Sequence, residues 1–76
     1  MTRYPIISFN NLIAVAKKLG FQQTRQKGSH IRFIHQDGRK ITIPDHSNKD
    51  VPKGLLFKII KYDLELTADD FFKLIR

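Results

Sequence analysis

Three imidazoles are the side chains of this sequence that can exchange a proton near neutral pH. His30, His35 and His46 are the only histidines, and there is no cysteine. The lack of thiols excludes disulfides, cysteine nucleophiles and zinc–cysteine sites. The histidine spacings, five residues (30 to 35) and eleven (35 to 46), match no metal-binding motif. We therefore expect acid–base chemistry without a metal or another cofactor.

The surroundings of His30 follow from two predicted strands. Residues 21–27 form a polar strand, Gly28-Ser29 is a two-residue hairpin signal, and residues 30–35 form the second strand. A two-residue loop places Lys27 opposite His30. Side chains alternate along a strand, so Arg25 then lies opposite Arg32 on the same face.

A third strand, residues 40–44, extends this sheet after a turn at Asp37-Gly38. A register slip of one residue would move every side chain to the other face. Burial of the four apolar side chains on a single face favours a three-residue loop, 37–39, which pairs Phe33 with Ile43 and leaves Lys40 on the side of His30. The four side chains to be buried are those of Ile31, Phe33, Ile41 and Ile43.

One sheet face thus gathers one imidazole among four cations. Such an environment favours the neutral imidazole, which can accept a proton, whereas a bound phosphate diester favours the protonated form. His30 is the candidate general acid or base, and an ordinary polar role on a solvated strand is the alternative. We expect His35 to be structural or on the surface. His46, on a polar loop of residues 44–51, is a candidate second participant, and a place on the loop without a role in the chemistry is the alternative. The cations are Arg25, Lys27, Arg32 and Lys40.

Helices complete the predicted fold. Ser8 caps a first helix over residues 9–19, which Gly20 ends. Pro52 opens a second helix, with an apolar stripe at positions 55, 56, 59 and 60. Thr67 and Asp70 resemble a capping box before a short third helix. The order α-β-β-β-α-α predicts an α+β fold with a three-stranded antiparallel sheet and helices on one face.

The length and the net charge of the chain limit the functions that it can have. The 76 residues predict one domain over 1–76, and the net charge is +7, from 14 Lys and Arg against 7 Asp and Glu. A small body with this surplus attracts polyanions, so nucleic acid is the favoured partner, with mere solubility as the alternative. No apolar run has the length of a signal peptide or a membrane span. We therefore expect a soluble, cytoplasmic protein with no membrane partner.

Several short motifs together resemble the HicA toxin family. They run in the family's order over nearly the whole chain, although each motif alone is weak. Leu55 and Phe57 depart from the family pattern at the start of the second helix, which bears on substrate contacts there. The motifs are Arg25-Gln26-Lys27-Gly28-Ser29-His30, Ile43-Pro44-Asp45-His46, Pro52-Lys53-Gly54-Leu55-Leu56 and Leu66-Thr67-Ala68-Asp69-Asp70-Phe71.

The resemblance implies a fold like that of a double-stranded-RNA-binding domain, and a metal-independent endoribonuclease that cleaves messenger RNA. The family's catalytic histidine lies in Gly-Ser-His, which corresponds to His30. The resemblance also implies a HicB-type antitoxin that covers the active site. The expected RNA-binding residues are Arg25, Lys27, Gly28, Ser29, Arg32, Lys40 and His46.

Two rival functions stay open at the level of the sequence. A non-catalytic RNA-binding module would use the same basic face without acid–base chemistry. A DNA-binding accessory is the other rival, although the sequence shows no tight helix-turn-helix pair.

Overall fold

A computed structural model describes residues 4–46 and 48–75 of the chain. Its order of elements is the predicted one: helix α1 (Phe9–Lys18), strands β1 (Gln22–Lys27), β2 (His30–Ile34) and β3 (Lys40–Pro44), helix α2 (Lys53–Lys58) and helix α3 (Ala68–Lys73). The three strands form one antiparallel sheet in the order β1-β2-β3. The α+β class is therefore confirmed, whereas likeness to a double-stranded-RNA-binding domain and a single domain over 1–76 stay predictions.

The helix ends agree with the capping signals in the sequence. The Ser8 hydroxyl accepts a hydrogen bond from the Asn11 amide, and the Thr67 hydroxyl accepts one from the Asp70 amide. Gly20 has a φ of +103°, a conformation that favours glycine, directly after the end of α1. Pro52 is the N-cap of α2, one residue before the predicted first-turn position.

The apolar face of the sheet lies under the helices. Ile31, Phe33, Ile41 and Ile43 are each at most 6% exposed, as the alternating pattern predicts. They join one core cluster with residues of α1, α2 and α3. Burial at this scale is the main favourable term for folding a small domain.

The predicted pairing between β2 and β3 is wrong by two residues. Phe33 pairs with Ile41 and Ile31 with Ile43, not Phe33 with Ile43. The turn consists of residues 36–38, since the His35 amide donates to the Arg39 carbonyl. A shift of two keeps every side chain on its face, so hydrophobic alternation cannot detect it. Gly38, with a φ of +97°, fixes the turn one position earlier than expected.

A π-helical turn, Ile59–Asp63, continues α2 in place of regular α-helix. The Leu64 amide donates to the Ile59 carbonyl five residues earlier, which widens the turn. Ile59, Ile60 and Leu64 are all buried. The wider turn thus brings a third apolar side chain of this segment into the core. The predicted loop over 44–51 is present, and its Ser47 lies outside the described residues.

Candidate nucleic-acid interface

The sheet face away from the helices carries three rows of side chains that cross the strands. Direct partners in neighbouring strands share a face, so each row follows from the pairing. All three rows are solvent-facing, with only Ile34 and Pro44 partly buried. From one end of the sheet, the rows are Lys27–His30–Pro44, Arg25–Arg32–Thr42 and Gln22–Ile34–Lys40. We call this set of nine residues the outer face.

The outer face is electrostatically uniform. It holds four cations and one imidazole, and none of its nine residues is acidic. Within residues 4–46 and 48–75, no ion pair joins any of these cations to a carboxylate. Like charges in direct cross-strand contact destabilise a sheet, and here Arg25 faces Arg32. A bound polyanion would relieve that repulsion.

His30 is placed at the end of the outer face by the hairpin before it. It is the first residue of β2, it lies opposite Lys27 on β1 and opposite Pro44 on β3, and it is exposed. Gly28 has a φ of +59°, the left-handed conformation that the tight turn requires. The predicted cross-strand pairs Lys27–His30 and Arg25–Arg32 are both confirmed.

The turn that leads into His30 is held by hydrogen bonds from Gln26 and Asp45, which do not belong to the outer face. The Gln26 side-chain amide donates to the Gly28 carbonyl at 3.2 Å and to the Asp45 carboxylate at 3.4 Å. The Asp45 amide donates to the Ser29 carbonyl. These bonds link both turn residues to β1 and to the end of β3. No local pattern in the sequence marks this role of Gln26 and Asp45, because their link depends on how the three strands pair.

His46 lies apart from the outer face. Its ring packs edge-on against Phe9 of α1, with 5.2 Å between ring centroids. Phe9 is buried in the core under the helices. Over the described part of the chain, no hydrogen bond or ring contact joins His46 to His30. The structure thus gathers Arg25, Lys27, His30, Arg32 and Lys40 on one face, and it leaves His46 beside α1.

His35 has a structural position, as predicted. Its Nε2 donates to the Leu19 carbonyl at 3.0 Å, since a carbonyl oxygen can only accept, and its Nδ1 lies 3.1 Å from both the backbone amide and a carboxylate oxygen of Asp37. The ring also packs edge-on against buried Phe21. The imidazole therefore links the second turn to the end of α1.

The second turn carries an ion pair between Asp37 and Arg39, at the opposite end of β2 from His30. The Arg39 amide donates to the Asp37 carboxylate, and the Arg39 Nε donates to it at 2.7 Å. The backbone hydrogen bond, together with the guanidinium, lowers the pKa of Asp37 below its ordinary value. The Arg39 guanidinium also donates to the Leu64 carbonyl and lies over the ring of Phe21. Arg39 thus ties this turn to the helices and is not part of the outer face.

Between residues 4 and 75, apart from Ser47, no three acidic or histidine side chains are grouped so that they could hold a metal ion. None of the helices in that part of the chain has the length and apolar character needed to cross a bilayer.

Comparison with known proteins identifies the family. No curated protein matches the chain. The family model described as the HicA toxin of bacterial toxin–antitoxin systems matches residues 9–63. The match spans well over half of the sequence and contains α1, the whole sheet, α2 and the π-helical turn. The chain therefore belongs to the HicA toxin family of bacterial toxin–antitoxin systems.

Proposed function

We propose that this toxin is a cytoplasmic endoribonuclease that cleaves messenger RNA, with His30 as its catalytic acid or base. Membership of the family gives the coarser role, a toxin with a cognate antitoxin. One observation carries the finer proposal: the outer face holds no carboxylate and a single exposed imidazole among four cations, which form no ion pair with any described residue. A polyanion is the ligand that such a face attracts, and an imidazole is the group that can move a proton on it.

The proposed reaction is an attack of the RNA on its own backbone. The ribose 2′-oxygen forms a bond to the adjacent phosphorus, and the bond from phosphorus to the 5′-oxygen of the next nucleotide breaks. The 2′-hydroxyl loses a proton and the leaving 5′-oxygen gains one, so protons balance. His30 either removes the first proton or supplies the second. The products are a 2′,3′-cyclic phosphate and a 5′-hydroxyl.

The cations stabilise the charge that develops on phosphorus. Lys27 lies directly across from His30 and contacts the reacting phosphate, whereas Arg25 and Arg32, in the next row, act on it only through the longer-range field of their charges. A well-placed donor contributes on the order of 3 kcal/mol to such a transition state. Gly28 and Ser29 bring backbone groups to the same end of the face, and Lys40 extends the binding surface. His46, which lies beside α1, would contact RNA only where the RNA extends beyond the outer face.

The proposed reaction requires no metal or other cofactor, because proton transfer and charge stabilisation both come from side chains. We also propose that a HicB-type antitoxin neutralises the toxin by covering the outer face. The charge of that face favours an acidic partner surface.

Expression of the toxin from a tightly repressed promoter tests this function. Wild type and His30→Ala are compared for growth and for total messenger RNA, with Lys17→Gln on α1 as a control for an exposed charge away from the sheet. Growth arrest and RNA loss with wild type and Lys17→Gln, but not with His30→Ala, support a nuclease that depends on His30. Arrest by His30→Ala as well would contradict it. An RNA with a single 2′-deoxyribose at the cut site should resist cleavage, and its rapid cleavage would exclude the mechanism.

A non-catalytic RNA-binding module is the second candidate, because the same four cations would hold RNA without any chemistry. Under that function the RNA stays intact and His30→Ala changes little. Under the nuclease function, purified wild type yields products with cyclic phosphate ends.

A further inference from the structure

We propose that Arg25 and Arg32 form a second phosphate site, which holds the RNA phosphodiester one nucleotide away from the one cut at His30. This inference rests on the proposed ribonuclease function and adds a defined path for the substrate. The RNA backbone would run along β2, with one phosphate on each row of the outer face.

The spacing of the rows is the first argument. His30 and Arg32 are two residues apart on the same face of β2, which corresponds to about 6.8 Å along an antiparallel strand. Successive phosphates of an extended RNA strand repeat over a comparable distance. A strand laid along β2 therefore brings the next phosphate to the Arg25–Arg32 row when the first is at His30.

The composition of each row is the second argument. The first row pairs Lys27 with the only imidazole of the face, and the second row pairs two guanidiniums. A guanidinium presents a planar fork of donors that matches phosphate oxygens, and it is not a proton-transfer group at neutral pH. The first row thus has a proton-transfer group where the bond breaks, whereas the second has only the means to hold a phosphate.

The cost of the arginine pair is the third argument. Two like charges directly opposite each other in a sheet are destabilising. Neither Arg25 nor Arg32 has an ion pair with a described residue. An anion bound between them would remove the repulsion and accept hydrogen bonds from both guanidiniums.

The outer face also lacks the large aromatic side chains on which many single-strand-binding proteins stack bases. None of its nine residues is Phe, Tyr or Trp. Proteins that bind unpaired bases on a surface usually stack them on aromatic rings. We therefore expect the cations of this face to contact mainly the RNA backbone, so that the position of each phosphate sets the register.

A thermodynamic cycle that combines a change in the protein with a change in the RNA tests the Arg25–Arg32 phosphate site. The substrate is a short single-stranded RNA whose cut linkage has been mapped. In two derivatives, a neutral methylphosphonate replaces the phosphodiester on the 5′ or the 3′ side of that linkage. Each RNA is cleaved by wild type, by the double variant Arg25→Gln/Arg32→Gln and by Lys17→Gln, after circular dichroism has shown that all three fold.

We expect one of the two derivatives to lower kcat/KM of wild type by about tenfold, the loss of one charged hydrogen-bonded contact. In the double variant the same derivative should cost less than about twofold relative to unmodified RNA, because the partner of that phosphate is already gone. Lys17→Gln should keep the full sensitivity. Insensitivity of wild type to both derivatives, or full sensitivity of the double variant, overturns the site.

RNA binding in the His30→Ala background separates this inference from the ribonuclease itself. The triple variant His30→Ala/Arg25→Gln/Arg32→Gln is compared with His30→Ala alone. In the triple variant the logarithm of RNA affinity should fall less steeply with the logarithm of the salt concentration, with a slope smaller by about 0.7 for one lost phosphate contact on a single strand. If no RNA is cleaved by wild type but the slope changes, the ribonuclease fails and the phosphate site stands. An unchanged slope overturns the phosphate site whatever the cleavage result.

Discussion

The two faces of the sheet are made by the same strands and do opposite things. On β2, Ile31 and Phe33 are buried under the helices, whereas His30 and Arg32 are exposed between other cations. The covered face supplies apolar burial and thus stability. The outer face concentrates positive charge, which lowers stability until an anion binds. Neighbouring positions along β2 therefore differ in role. We expect substitutions at the covered positions to lower stability, and substitutions at the outer-face positions to lower the proposed activity.

The largest expected effect on stability comes from the covered face. Phe33→Ala should lower the free energy of unfolding by about 3–5 kcal/mol, because it removes a fully buried ring. Urea denaturation measures the change. Ile34→Ala, the next residue and a partly exposed one on the outer face, is the matched control and should cost much less. Equal losses would mean that the two faces do not differ in this way.

The hairpin at the end of the outer face gives the next effect. Gly28→Ala should cost about 1 kcal/mol, because alanine is strained at a φ of +59°, although its Cβ meets no neighbour. Gly28→Asn should cost less, since asparagine tolerates this conformation. Thermal denaturation compares the two. If the asparagine variant is as unstable as the alanine variant, strain in the turn is not the cause.

A smaller effect, of the opposite sign, is expected on the outer face. Arg32→Gln should raise stability by a few tenths of a kcal/mol at low salt, because it removes the repulsion with Arg25. The same variant should bind RNA more weakly. Its gain in stability should vanish at about 1 M salt, where charges are screened within about 3 Å. A loss of stability at low salt would contradict the argument from repulsion.

The smallest expected effect concerns acid pH at the second turn. The lowered pKa of Asp37 means that its ionised form stabilises the folded state. This contribution is fully present above its ordinary pKa of 3.8 and is lost as pH falls through the lowered value. Wild type should therefore be slightly more stable than Asp37→Asn at pH 6, and the difference should shrink below pH 4. A difference that is constant from pH 6 to pH 2 would exclude this source.

The sequence predicts which face of the sheet each side chain lies on better than it predicts which residues of β2 and β3 pair. Alternation over β2 and β3 fixes which side of each strand is buried, and four apolar side chains determine it together. The partner of Phe33 depends instead on the conformation of the turn at Gly38, which alternation does not encode. For the same reason the cations of the outer face could be grouped correctly while one register was wrong.

Contacts that depend on the path of a loop were not predictable. The bond from Gln26 to Asp45 and the packing of His46 on Phe9 both join segments far apart in sequence. The π-helical turn is similar, because no local signal in the sequence marks it and its side chains Ile59 and Ile60 are buried against other elements. Cap residues such as Ser8 and Thr67 were readable, since their hydrogen bonds span only three residues.

One paired measurement on His30→Ala tests the central claim most directly, that the outer face performs chemistry and contributes little to stability. The variant is purified free of antitoxin, and both its unfolding midpoint and its rate of RNA cleavage are compared with wild type. We expect a rate at least about 100-fold lower, as for loss of a general acid or base, with an almost unchanged midpoint. Retained cleavage would contradict the role of His30, and a large fall in the midpoint would contradict the separation of the two faces.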